Sequence, residues 1–219
     1  MMSLKCLRVA GLTSMVVLSS LFMLPSQAQT VAMDFTGGNL GQSNGNITWG
    51  WAFTISSSVT VTDLGVYDEA NNGLINSHQV GLWDSGGTLL ASTTMASGLS
   101  GTAVISTSGF GSLRFNTISS LGIGAGSYVV GALYKDADAD LLRFAATTVT
   151  MPPPFTFNQG RSAPGGFVFP SLTSANNGFF GPNLRFTTGT VPEPGVVVSL
   201  LGAGTLSSLL LVRRRHTRR

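Results

Sequence analysis

Apolar and polar residues alternate along most of this chain. Over residues 48–55, Trp49, Trp51, Phe53 and Ile55 fall on one parity, with Gly50, Ala52 and Thr54 between them. That period of two is the mark of a strand with one buried face. Residues 59–67 begin on one parity with Val59 and Val61 and continue on the other with Leu64 and Val66; the slip at Asp63 predicts a bulge. Ser56-Ser57-Ser58 separates these runs, and Asn71-Asn72-Gly73 signals a turn. Residues 79–84 and 88–95 flank Ser85-Gly86-Gly87 and predict a hairpin. Further strand-like runs cover 103–107, 112–118, 127–134, 141–150, 166–169 and 179–187, for eight to ten strands in all. Met151-Pro152-Pro153-Pro154 reads as a stiff loop between strands, with more β-like sequence after it. No ten-residue stretch between 29 and 190 sets a 3.6-residue apolar period against a charged face. The pattern predicts an all-β chain with a single sandwich or jelly roll over residues 29–190.

Composition strengthens this picture. Gly, Ser, Thr and Asn supply 24, 18, 20 and 11 of residues 29–190, and these types favour turns, edges and, for Thr, strands over helix interiors. The 219-residue chain has a net charge of +3, a balance that by itself suggests nucleic acid. Its distribution excludes that reading: Lys5 and Arg8 open the chain, and five arginines lie among the last seven residues. Between 29 and 190 stand only five basic and eight acidic side chains.

The ends therefore read as addresses. At the start, Lys5 and Arg8 precede an uncharged apolar stretch over 9–24, Pro25 ends it, and Ser26-Gln27-Ala28 offers small residues for signal peptidase to cut between Ala28 and Gln29. The one cysteine, Cys6, leaves with this segment, so the exported chain has no disulfide and must be held by its core. At the other end, Pro192-Glu193-Pro194 precedes an uncharged run over 195–212 and then Arg213, Arg214 and Arg215. Eighteen residues at about 1.5 Å each just cross a bilayer core of about 30 Å, with the arginines on the cytoplasmic side.

The order Pro-Glu-Pro, short membrane helix, Arg-rich tail resembles the PEP-CTERM sorting signal of Gram-negative bacteria. The resemblance covers residues 191–219. It implies that an exosortase, a membrane-embedded peptidase, recognises Pro192, Glu193 and Pro194, and that Arg213, Arg214 and Arg215 stop transfer. It also implies an envelope, surface or matrix protein, transiently anchored in the inner membrane of an organism that makes exopolysaccharide. In the middle, residues 50–53, 61–67, 80–84, 87–91 and 125–130 resemble an extracellular β-sandwich family of unknown function. Phe180-Gly181-Pro182-Asn183-Leu184 is similar to the last strand of many PEP-CTERM proteins. Neither likeness carries catalytic residues or a cofactor.

Candidate chemistry is sparse. His78 is the one histidine outside the tail, and no Gly-x-Ser-x-Gly elbow accompanies it. On parity it shares a face with Val80 and Leu82, which predicts a strand-start histidine bonded to backbone. Asp136, Asp138 and Asp140 occupy i, i+2 and i+4, like the opening of a calcium loop, but Leu141 and Thr147 stand where that loop needs Gly and Glu. A solvated turn, with Lys135 and Arg143 offsetting the charge, is the simpler expectation. Asp68 and Glu69 are likewise expected to be solvated beside the Asn71 turn. Trp49, Trp51 and Trp83 could serve a sugar platform, although inward-facing strand aromatics are more often core. These features favour a non-enzymatic surface or exopolysaccharide-matrix protein. A carbohydrate-binding module using exposed aromatics is the alternative, and a surface hydrolase with a pair of carboxylates is a second.

Overall fold

The computed structural model describes residues 28–189 except 108, 110 and 175–177. The predicted signal peptide up to Gln27, the Pro192-Glu193-Pro194 motif, the apolar run after it and Arg213–Arg215 lie outside the described residues. In chain order the strands are β1 (Thr30–Val31), β2 (Asp34–Thr36), β3 (Asn39–Gly41), β4 (Ile47–Ile55), β5 (Val59–Glu69), β6 (His78–Asp84), β7 (Leu89–Met95) and β8 (Thr102–Ile105). They continue with β9 (Gly111–Ile123), β10 (Gly126–Tyr134), β11 (Leu142–Phe144), β12 (Thr148–Thr150), β13 (Phe155–Pro164), β14 (Leu172–Ser174), β15 (Phe179–Phe180) and β16 (Pro182–Thr187).

The described residues are all-β, without a helix. Two antiparallel sheets, ordered β1-β16-β5-β9-β8 and β14-β13-β4-β10-β6-β7, pack in a sandwich-like arrangement. Two smaller ones, β15-β11-β3 and β12-β2, accompany them. The inner face of β4 presents Trp51, Phe53 and Ile55, all essentially inaccessible, to Leu64 and Val66 of β5 and Leu184 and Phe186 of β16. Phe155 of β13 meets Phe186 with ring centres 4.5 Å apart, and the Trp51 indole Nε1 donates to the Pro182 carbonyl at 2.8 Å. That bond satisfies a donor that burial would otherwise orphan, so a tryptophan can sit in the core. Phe35 stacks on Phe180 and meets Tyr67 edge-on, tying the short N-terminal strands into the same core.

The slip at Asp63 is a bulge: pairing with β9 shifts between Val61 and Asp63, and pairing with β16 shifts between Arg185 and Phe186. It lets Val61 and Leu64 both face inward. Asp63 is buried and takes bonds from Arg185, Thr62, Thr117 and the Gln29 side chain. Burial pushes its carboxyl up, but the Arg185 and hydroxyl bonds outweigh this and hold it below its ordinary value of 3.8. The 79–95 hairpin forms as β6 and β7.

Other expectations change. The run over 141–150 is two strands, β11 and β12, because Ala145 turns the chain with a φ of 53°. Residues 166–169 are not a strand but part of a strap across the outer face of the larger sheet. Asp68 and Glu69 are not solvated: they pair with Arg114 and Arg143, and Asp68 is 2% exposed.

The strap has a specific seat. Gly50 of β4, Gly131 of β10 and Gly81 of β6 lie directly opposite one another, a three-strand glycine row. With no Cβ to fill it, the row is a trough. Phe167 and Phe169 pack there against Trp83, at centroid distances of 5.3 and 6.4 Å, and Pro170 closes over Gly131. Bonds from the Thr48 hydroxyl to the Gly166 carbonyl, and from the Gly165 and Gly166 amides to the Asn46 carbonyl, pin the strap down. A Cβ at Gly50 would lie 2.1 Å from the Val130 carbonyl oxygen, against backbone that cannot yield. Gly50→Ala is therefore expected to lose about 2–3 kcal/mol in denaturant unfolding, while Gly122→Ala, where a Cβ meets nothing within 4 Å, stays within about 0.5 kcal/mol.

Candidate functional site

Two features sit at the end of the sandwich where β4 begins and β10 ends. The first is a buried polar cluster. His78 opens β6 on the inner face and is fully buried. Its Nδ1 lies within hydrogen-bond distance of the Leu133 carbonyl oxygen, at 3.0 Å, and its Nε2 of Asp140 Oδ2, at 2.9 Å. Asp140 also takes the amides of Ile75 and Asn76, at 2.8 and 2.7 Å. Asp138 takes the Asn76 side-chain amide at 2.8 Å, the Lys135 amide at 2.9 Å and the Asp140 amide at 3.1 Å. Burial pushes the Asp140 carboxyl up; the bonds from His78, Ile75 and Asn76 prevail and hold it below 3.8. Tyr134 packs on His78 with ring centres 4.5 Å apart; burial, reinforced by the charges of Asp140 and Asp138, pushes its phenol well above the ordinary range.

His78, Asp138 and Asp140 bring one ligand atom each within 4.8 Å of one another. All four carboxylate oxygens and both ring nitrogens are nevertheless engaged by the protein itself. A calcium ion takes six to eight oxygens, and here it would have to strip N–H groups from each one it used. The cluster can therefore fix loops but is poorly built to hold an ion. Of the three aspartates in the sequence motif, Asp138 and Asp140 converge inward, 1% and 9% exposed, and Asp136 alone is the solvated turn residue. Ala137 between them adopts a φ of 51°, which turns the chain so that its neighbours point opposite ways. His78 is the predicted strand-start histidine on the face of Val80 and Leu82, with an aspartate partner that no sequence spacing announced.

The second feature is an open groove of about 370 Å³. The inner face of β4 continues past buried Trp51 to Trp49 and Ile47, which emerge half-buried, and Phe144 of β11 and Phe179 of β15 join them. Trp49 and Phe179 lie 4.1 Å apart, tilted at 44°. Gln42 and Asn44 stand on the rim, exposed. The cluster and the groove share a frame: the Gln42 amide donates to the Asp138 carbonyl, the Ala137 amide to the Ser43 carbonyl, and the Trp49 indole Nε1 to Ser43 Oγ at 3.1 Å.

The three tryptophans therefore part company. Trp51 is core, Trp83 is covered by Phe167 and Phe169, and Trp49 alone reaches a surface groove. Phe144, Phe179, Gln42 and Asn44 carried no sequence signal, since only tertiary folding brings β3, β11 and β15 beside β4. Of the predicted cleavage pair, Ala28 is exposed, and Gln29 is tied to Thr62 and Asp63. Among the described residues no helix is long and apolar enough to cross a membrane. No family model matches this chain, and neither a curated protein nor a solved structure does.

Two outcomes test the cluster. Calcium at millimolar concentration is expected to leave the melting temperature unchanged, whereas a rise of several degrees would mark a cation site. The depressed Asp140 carboxyl stabilises the fold above its ordinary value of 3.8, and that stability is lost as pH falls through its lowered folded value. Asp140→Asn should thus be less stable at pH 7, by about 3 kcal/mol, and lose less on acidification than the parent chain, as read from unfolding midpoints across pH.

Proposed function

We propose that this chain is an exported envelope protein, sorted by an exosortase-type system, whose β-sandwich is a non-enzymatic structural component of the cell surface or exopolysaccharide matrix. The sorting half rests on the two end segments of the sequence: signal peptidase would cut between Ala28 and Gln29, and an exosortase-like peptidase would act near Pro192, Glu193 and Pro194 after the apolar helix and Arg213–Arg215 had held the chain in the inner membrane. The non-enzymatic half is carried by one observation. The cluster that groups a histidine with two carboxylates is buried with both ring nitrogens and all four carboxylate oxygens engaged, and the groove beside it is lined by no ionisable side chain. General acid–base work needs a titratable group within reach of a substrate, and glycoside hydrolysis needs two carboxyls flanking the bond. The groove offers neither, which weighs against the hydrolase reading. The sparsely charged, amide- and hydroxyl-rich composition of residues 29–190 suits contact with a hydrated, neutral polymer. The carbohydrate-binding alternative gains support at one position, Trp49.

Intact mass tests the sorting reading. The form recovered from the surface or medium of an exosortase-bearing host is expected to begin at Gln29 and to lack everything after the Pro192–Pro194 motif. Replacing Pro192, Glu193 and Pro194 by alanine should leave the chain in the membrane fraction with its arginine tail. A surface form of the parent chain that still contains Arg219 overturns the reading.

A further inference from the structure

We propose that the groove at the mouth of the sandwich binds the ring of a neutral sugar, with the Trp49 indole as its platform. This rests on the envelope reading only for where the ligand comes from; the site stands on its own geometry. The volume, about 370 Å³, falls in the range of small-molecule sites, about 300–1,000 Å³. Its floor is aromatic and its rim is amide, and this division matches a pyranose. One face of a pyranose is a sheet of C–H bonds, which suits the negative face of an aromatic ring. Its edge is a row of hydroxyls that both donate and accept. Asn44 has no side-chain partner among the described residues, and Gln42 uses its NH₂ on the Asp138 carbonyl, leaving its carbonyl oxygen free to accept. A wholly apolar occupant would desolvate both amides for nothing in return.

Charge narrows the class further. None of the residues lining the groove is charged. The Arg143 guanidinium, on the same short strand as Phe144, is engaged by Glu69 and the Gly38 carbonyl. An anionic sugar would find no cation in the groove, so the ligand is a neutral hexose or N-acetylhexosamine unit. The platform is also pre-set. Ser43 Oγ accepts from the Trp49 Nε1 and donates to the Gly45 carbonyl, so the indole is held before any ligand arrives and its N–H is already used. Less ordering remains to oppose binding. The buried His78–Asp138–Asp140 cluster holds the rim in turn, through the Gln42 and Ala137 bonds.

The test titrates the full chain, in a detergent without a sugar headgroup, with maltohexaose, cellohexaose, chitohexaose and polygalacturonate, read by tryptophan fluorescence and calorimetry. At least one neutral oligosaccharide is expected to bind saturably. Trp49→Ala should weaken it by about tenfold or more, Trp49→Phe should retain part of the affinity, and Asn44→Ala should weaken it severalfold with no change in melting temperature. Should Trp49→Ala fail to fold, the Trp49→Phe and Asn44→Ala pair carries the test. Several results would overturn the proposal: no saturation by any neutral oligosaccharide at millimolar concentration, binding of polygalacturonate alone, affinities indifferent to both positions, or a Trp49→Ala change that splits a dimer and so shows the groove filled by a second copy. A chain trimmed at both ends that binds no sugar defeats this proposal and spares the sorting reading; an untrimmed chain that binds does the reverse.

Discussion

A carboxylate taken out of water must be met by donors, and much of this molecule's geometry at one end comes from meeting two of them. Asp138 and Asp140 draw in the backbone of residues 75–76, the Asn76 side chain, the end of β10 and the ring of His78. These belong to segments distant in sequence. A hydrophobic contact could have been satisfied by many arrangements of the same loops, because burial of apolar area is not directional. Hydrogen bonds to fixed oxygens admit far fewer. The loops that result carry Ser43 and Gln42 into place, and through Ser43 the indole of Trp49. A surface feature is thus positioned by a buried one, in a domain with no disulfide to do it.

The opposite face of the larger sheet meets a different constraint with the same economy of charge. Three glycines side by side leave a groove that water would fill poorly, and the chain covers it with its own strap of residues 165–170. Trp83 is the beneficiary: it lies on the outward parity of β6 yet is 3% exposed, because Phe167 and Phe169 close over it. The two faces therefore treat their aromatics oppositely. The outward face hides a tryptophan that parity left exposed, and the inward face lets one emerge where the core runs out.

How far the sequence foretells this depends on whether the deciding contact is local. The strand runs, the 79–95 hairpin and the slip at Asp63 are written in alternation along a single segment, and they are legible. So is the shared face of Trp49 and Trp51. β13 is not, although it pairs with β4 along nearly its whole length. Phe155 and Phe157 begin an alternation, but its register breaks between Phe157 and Gln159, and the strand continues through Gly160, Arg161 and Ser162, which carry no apolar signal. The strap resembles a strand because Phe167, Val168 and Phe169 are β-formers, and its seat is a glycine row contributed by three other strands. The aspartates resemble a solvated turn because i, i+2, i+4 spacing puts three side chains on one face of an extended chain. Ala137, at positive φ, breaks that premise and sends Asp138 inward while Asp136 stays out.

The same distinction explains why the groove, and not the cluster, carries the binding site proposed here. Spacing draws attention to charged residues, since charge is conspicuous in so uncharged a chain. The fold engages those residues: Asp63 with Arg185, Asp68 with Arg114, Glu69 with Arg143, Asp140 with His78. Each pair is buried or nearly so, and a buried pair whose oxygens are fully bonded resists any third party, because a newcomer must match donors already in ideal positions. What lines the groove at this end is neutral: the Trp49 indole, two phenyl rings, the Asn44 amide and the free carbonyl oxygen of Gln42. On the proposal made above, a chain that pairs so many of its charges in the interior, and lines this groove with aromatic rings and amides, suits a neutral partner whose surface is likewise part hydrocarbon and part hydroxyl.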